Sequence, residues 1–380
     1  MLVSKLPNVG TTIFTVMSEL ARTHGAINLS QGFPDFDAPA ALLDRVQYYL
    51  RNGHNQYAPM TGTLSLRQAL ATKVGDCYGL RVDSEREITV TSGATEALFC
   101  AIAAVVGAGD EVIVFDPAYD SYEPAINLQG ATAVHVPLLA PGYRPDWHLV
   151  ESMVSPRTRA IIINTPHNPT GTVWPAEDLL ELQRLVQKYG LYAIADEVYE
   201  HILFDGHRHE SICRYPDLYD SSFVVSSLGK TCHVTGWKIG YCIAPADLTI
   251  EFRRIHQYVT FTSITPVQLG LADFLTEHPE HYRDLGAFYQ RKRDYFNALL
   301  SESRFTMTPS GGTFFQLLDY SAITDEVDAT LARRWTQEGG VASIPLSVFY
   351  AQPPGDRLLR FCFAKDDTTL ERAAEKLCRL

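Results

Sequence analysis

The chain has 380 residues, 46% hydrophobic and 20% charged, an ordinary balance for a packed soluble protein with one large domain and room for a smaller one. A net charge of −12 argues against the basic surfaces selected by nucleic acid or anionic membranes, and points to a small-molecule ligand. Seven scattered cysteines with no C-x-x-C pair suit reduced thiols in a cytoplasm better than a disulfide framework.

The opening MLVSKLPNVGTTIFTVM is broken by proline and glycine and does not read as a secretory signal. The longest apolar stretch, ALFCAIAAVV, reaches half of the roughly 20 residues that span a bilayer, so no membrane segment is expected. QGFPDF reads as an inter-domain turn. EITVTSG is then a strand running into the helix TEALFCAIAAVV, and EVIVFDP is a second strand. AIIINTPHNPTG is a third, followed by the helix EDLLELQRLVQKYG; LYAIADEVYE and FVVSSLGK are a fourth and fifth. This alternation predicts an α/β fold whose mostly parallel sheet is flanked by helices, over residues 39–274. From about residue 275, helical stretches such as HYRDLGAFYQRKRDYFNALL alternate with the short strands GTFFQLL and RLLRFCFA. Residues 275–380, joined by 1–38, are expected to form a smaller α+β domain.

Ligands of such sheets lie outside the carboxyl ends of the strands. The polar residues expected there are Ser92 to Thr95, Asp116 to Tyr119, Asn164 to Asn168, Asp196 to Tyr199 and Ser226 to Lys230. SGATEAL opens a helix after a strand, which suits a phosphate and is equally consistent with a plain turn. Asp196 ends an apolar strand, where a carboxylate needs a partner or serves as a helix N-cap for EVYEHIL. Asn168 sits between prolines in a rigid turn. Lys230 follows FVVSSLG; it is a surface charge or a desolvated amine able to form a Schiff base. Lys238 adds a second cation. VVGAGDEV lacks the third glycine of a dinucleotide fingerprint and precedes a strand. HRHE at His207 to Glu210, with Cys213 nearby, matches no zinc spacing and reads as a polar loop, so no metal is expected.

Phosphate grip, buried acid, aimed amide and buried lysine together match what pyridoxal 5′-phosphate requires. With NTPHNPTG, ADEVYE, SSLGKTCHVTGWKIGY and RFCFAK in place, the chain resembles the class I/II pyridoxal-phosphate aminotransferases of fold type I, from QGFPDF to RFCFAK. NLSQGFPDF, NQYAPMTG and VASIPLSVFY bring it nearest the branch of methionine aminotransferases and kynurenine/glutamine transaminases. The resemblance implies that Lys230 holds the cofactor and shuttles a proton, that Asp196 binds the pyridine nitrogen, and that Asn168 and Tyr199 donate to the phenolic oxygen. It further implies that Tyr119 stacks on the ring, and that Ala94, Thr95, Ser227, Lys238 and Tyr57 of a second subunit hold the phosphate. Arg360, with Gly32 and Asn168, would clamp the substrate carboxylate. Lys238 stands where many members of the wider superfamily carry arginine.

The activity implied is transfer of an amino group from L-methionine, and also from glutamine or aromatic amino acids such as kynurenine, to a 2-oxo acid. Ile13, Phe14 and Phe33 are expected near an apolar substrate mouth. A cysteine-conjugate or cystathionine β-lyase is the alternative reaction on the same cofactor. A cofactor-binding regulator would need a basic DNA-binding module, for which neither terminus has room. A homodimer is implied through Tyr57 alone.

Overall fold

A computed structural model describes residues 3–380. Its centre is a seven-stranded sheet built from β2 (Ile88–Thr91), β3 (Glu111–Asp116), β4 (Thr132–Pro137), β5 (Thr158–Asn164), β6 (Tyr192–Asp196), β7 (Ser222–Ser227) and β8 (Gly240–Ile243). The order across the sheet is β2-β8-β7-β6-β5-β3-β4. β4, β3, β5, β6 and β7 are parallel, and β8 runs antiparallel to both of its neighbours. The polar ends of β2, β5, β6 and β7 therefore meet at one edge, where the chain order across the sheet reverses. β4 and β8 are additions to the five strands read from sequence.

Alternation along each strand explains why both faces are covered. Ile161, Ile163, Ala193, Ala195 and Val224 join one apolar cluster, while Ala160, Ile162, Ile194, Phe223 and Val225 join another on the opposite face. The second cluster is sealed by the helix Ala94–Val105, whose Ala97, Leu98, Ala101 and Ile102 are buried in it. The first receives the helix Ala176–Tyr189 through Leu179, Leu182, Leu185 and Val186, the spacing of one helical face.

Two small sheets stand apart. β1 (Ile27–Asn28) pairs with β10 (Val341–Ala342), tying the amino-terminal region to the carboxy-terminal one. β9 (Phe315–Asp319), β11 (Ile344–Pro345) and β12 (Leu358–Cys362) form a three-stranded antiparallel sheet with β12 in the middle. The domain limit expected at residues 274/275 falls within the helix Thr265–Glu277. The stretch read as one helix from His281 is a short turn, Glu280–Arg283, followed by Leu285–Leu299. Among the described residues no helix is long and apolar enough to cross a membrane.

Candidate active site

A cavity of about 330 Å³ opens at the carboxyl edge of the large sheet. Its walls include Gly32, Ala94, Thr95, Tyr119, Asn168, Asp196, Tyr199, Ser227, Lys230, Lys238 and Arg360, eleven of the twelve residues selected from sequence. The twelfth, Tyr57, lies outside it and is 85% exposed, with its ring edge-on to Phe261 at 5.6 Å. Phe14 and Phe33 line the cavity, whereas Ile13 lines a neighbouring cleft with Asp120.

β7 drives its apolar run to Ser227 and turns at once into the short helix Leu228–Thr231, which carries Lys230 inward. The Lys230 Nζ donates to the carbonyl of Gly32 at 3.0 Å and lies over the rings of Phe314 and Tyr199 at 5.0 and 5.4 Å. Burial pulls its pKa from 10.5 down to about 8, and the nearby cations Arg360 and Lys238 push the same way. A share of the amine is therefore uncharged near neutral pH. The surface-charge alternative does not describe this lysine.

Asp196 ends β6 buried, and no helix follows it, which removes the N-cap alternative. Its Oδ2 accepts from the hydroxyl of Tyr122 at 2.6 Å, and its backbone carbonyl accepts from Asn164 Nδ2 at 2.8 Å. Burial raises the carboxyl to about 6, while the Tyr122 hydroxyl and the Val198 N–H act to lower it. The group thus lacks a charged partner at contact distance and is suited to a cationic ring nitrogen.

The turn after β2 is held by Gly93, at φ +85°, a region that L side chains rarely adopt. A Cβ there would lie 3.1 Å from the Cε and Nζ of Lys238, so this glycine keeps open the space between the lysine and the start of the helix Ala94–Val105. First-turn N–H groups and a lysine side chain beside one gap are suited to an anion.

Arg360 is 1% exposed at the centre of β12. Its Nη1 donates to Asn168 Oδ1 at 2.7 Å and its Nη2 to the Ser30 carbonyl at 2.8 Å, and its guanidinium stacks 3.9 Å from the Phe315 ring centroid. Its buried Nε finds no acceptor among the described residues. Burial lowers this arginine to about 10. A buried cation with no hydrogen-bonded carboxylate among the described residues has the chemistry to receive an incoming one.

Tyr122, Ser30 and Phe315 were not selected from sequence. Tyr122 stands one helical turn beyond Tyr119, its only sequence signal; the other two reach the site solely through chain folding. Asp116, expected among the pocket residues, instead pairs with His135 Nδ1 at 2.8 Å and accepts from the Ala351 N–H.

Residues 24–377 match the family model for aminotransferase class I and II. The chain is 52% identical to a methionine aminotransferase of Escherichia coli (strain K12), over 99% of this chain and 98% of that protein. It is 33% identical to the kynurenine–oxoglutarate transaminase of Dictyostelium discoideum, over 98% and 94%. The crystal structure of YbdL from Escherichia coli, for which a methionine aminotransferase function is described, superposes with a TM-score of 0.98 at 51% identity over the whole of both chains. A family match over most of the chain and 52% identity over nearly the full length place the chain among the class I and II aminotransferases, and its fold is theirs.

Proposed function

We propose that the enzyme takes the amino group of L-methionine, with glutamine and aromatic amino acids as further donors, and passes it to a 2-oxo acid using pyridoxal 5′-phosphate. The observation that carries the substrate is the 52% identity, over nearly the full length, to a methionine aminotransferase. Kinship with a kynurenine transaminase supports the aromatic donors. No such support exists here for the β-lyase alternative.

The residues present fit this cofactor. Ala94, Thr95, Ser227 and Lys238 would hold its phosphate around the gap kept open by Gly93. Asp196 would face the ring nitrogen, Tyr119 the ring, and Asn168 and Tyr199 the phenolic oxygen; Lys230 would hold the aldehyde carbon. When bound, the cofactor supplies an electron-withdrawing ring that accepts the electron pair left on the amino acid.

The protein's own part, on this reading, is to bind, orient and move a proton. Arg360 binds the α-carboxylate, and Asn168 and Ser30 fix the plane of its guanidinium. Lys230, partly uncharged because of burial, accepts the proton from the amino acid α-carbon as a general base. Phe14 and Phe33 offer an apolar wall to a thioether or an aromatic ring. Such a wall discriminates by only about 1–3 kcal/mol per methylene, so several donors are accepted.

Tyr57 belongs to an exposed apolar patch with Phe261 and Ile264, a surface suited to a second copy of the chain. In that homodimer Tyr57 would complete the partner's phosphate site. The amino-terminal segment with Phe14 and the chain beyond the helix Thr265–Glu277, with Arg360, would form the smaller domain, and the free cysteines suit the reducing cytoplasm.

The test adds L-methionine alone to cofactor-loaded protein while the bound cofactor's absorption, 2-oxo acid, ammonia and thiol are followed. One equivalent of 2-oxo acid per site, with the cofactor left in its amine form and no ammonia, is expected. Ammonia and thiol release would establish a lyase instead, and absence of any change would remove methionine.

A further inference from the structure

Behind the cavity wall lies a buried polar cluster that the reaction does not use. The Glu200 carboxylate accepts from Lys73 Nζ at 2.8 Å, from Tyr241 OH at 2.7 Å, from Ser226 Oγ at 2.5 Å and from the hydroxyl of Tyr78. Lys73 also donates to Tyr241 OH at 2.9 Å. Lys73, Glu200, Ser226 and Tyr241 are all buried, and none of the five side chains lines the cavity. The carboxyl is held well below its ordinary range by Lys73, against the opposing effect of burial.

A buried ion pair is a poor way to gain stability, since its desolvation penalty rivals its attraction and a well-packed apolar pair often serves as well. What distinguishes this one is where its members sit in the chain. Glu200 follows Tyr199 directly. Ser226 precedes Ser227 and lies four residues before Lys230. Tyr241 follows Gly240, whose backbone is packed so close to the turn at the phosphate cradle that a Cβ would lie 2.7 Å from the Ala94 nitrogen. Lys73 and Tyr78 bring in the helix Leu64–Tyr78 as an outer anchor. One carboxylate thus ties together the ends of β6 and β7, the start of β8, and through β8 the first turn of the helix at Ala94.

We infer that Glu200, held by Lys73, is a positioning residue for the cofactor: it fixes the spacing of Tyr199, Ser227, Lys230 and Ala94 to one another without touching the ligand. The inference rests on the proposed pyridoxal-phosphate site. Four donors converging on two oxygens leave the carboxylate few ways to move, which is the property required of a shell that supports a site.

The experiment compares two quantities in the same proteins: thermal unfolding of the cofactor-free form, and the dissociation constant for pyridoxal 5′-phosphate from its absorption change. The main variant is the double replacement Lys73→Met with Glu200→Gln, which removes both charges and keeps both lengths, so that neither charge is left buried alone. Its dissociation constant is expected to rise about tenfold or more, while the melting temperature of the cofactor-free form stays close to that of the unaltered protein. An unchanged dissociation constant would overturn the inference and leave the cluster a stabilising element only. Should the double variant fail to fold, Tyr241→Phe removes a single hydroxyl donor, and a dissociation constant raised by about threefold or more is expected; no change there is equally fatal. Wild-type protein and Lys230→Ala separate this result from failure of the functional reading. If the wild type takes up no cofactor, or if Lys230→Ala gives the same spectrum, the site itself is misassigned and the inference falls with it. If both behave as proposed and the Glu200 variants still bind normally, the positioning role alone is refuted.

Discussion

The guanidinium of Arg360 and the side-chain amide of Asn168 meet at 2.7 Å across the cavity, although 192 residues separate them in the chain. With Ser30 on the other nitrogen, three remote segments converge on one planar cation. A lysine at this position can supply the charge but cannot satisfy both partners and still present a donor to the substrate. Arg360→Lys is therefore expected to lower kcat/KM for methionine by about 100-fold, equivalent to about 2.7 kcal/mol. The cofactor dissociation constant should stay nearly unchanged if, as proposed, Arg360 serves the substrate. Steady-state kinetics with a parallel cofactor titration check both halves, and equal losses in the two would place Arg360 in the cofactor site.

Lys230 titrates near 8 because it is buried, against an ordinary 10.5. In the cofactor-free protein, labelling of this amine by an amine-directed reagent should therefore rise with pH through about 8. The stability consequence has a definite sign. Between about 8 and 10.5 the unfolded chain binds a proton that the folded protein does not, so stability increases with pH across that window. Lys230→Met should flatten this rise. Thermal unfolding of the two cofactor-free proteins from pH 7 to 10.5 measures it, and parallel curves would show that the amine is not desolvated.

The strands, and the fact that their polar ends share one cavity, were legible because short continuous apolar runs ending in Asp196, Asn164 or Ser227 alternate with helical stretches and carry their own signal. Lys230 was legible from the strand that precedes it. β4 escaped because its sequence, TAVHVP, mixes exposed and half-buried positions at the sheet edge. β8 escaped because only two one-turn helices separate GYCI from β7, so the alternation of strands with long helices gives it no signal. Asp116 was drawn away from the pocket by His135, a pairing set by the register of β3 with β4 and absent from any local motif. Tyr122, Ser30 and Phe315 act through contacts spanning tens to hundreds of residues, which no short window contains.

Among the described residues, Tyr122 is the one hydroxyl donating to the Asp196 side chain, at 2.6 Å. Removing it with Tyr122→Phe takes away a bond that favours the carboxylate, worth about 1 kcal/mol, and should raise the Asp196 pKa above its present value of about 6. In the cofactor-free protein the folded state holds the Asp196 proton from about pH 3.8 to 6, where the unfolded chain has lost it, so this group makes stability fall as pH rises through that window. Tyr122→Phe should extend the fall to higher pH, and Asp196→Asn should abolish it. Unfolding midpoints from pH 4 to 8 provide the check; identical profiles for all three proteins would mean that Asp196 is ionised throughout.

The exposed patch around Tyr57 gives the last expectation. Tyr57 is 85% exposed, beside Phe261, and Ile264 is 52% exposed. Tyr57 is also held in place by its own chain, since the Gln56 carbonyl accepts from Thr265 Oγ1 at 2.5 Å and the Pro59 carbonyl from Thr262 Oγ1 at 3.2 Å. A braced aromatic presented to solvent is matched to a surface on another molecule, and sedimentation should report two chains of 42.4 kDa each. Ile264→Glu places an unpaired carboxylate in that interface and should shift the protein toward monomer, with cofactor affinity falling in step because Tyr57 no longer reaches the partner's phosphate site. Tyr57→Phe should instead keep the dimer and weaken cofactor binding by about threefold to tenfold, the loss of one hydroxyl contact. A wild-type protein that sediments as a monomer, yet binds cofactor tightly, would remove Tyr57 from the site and leave Lys238 and the helix at Ala94 to hold the phosphate unaided.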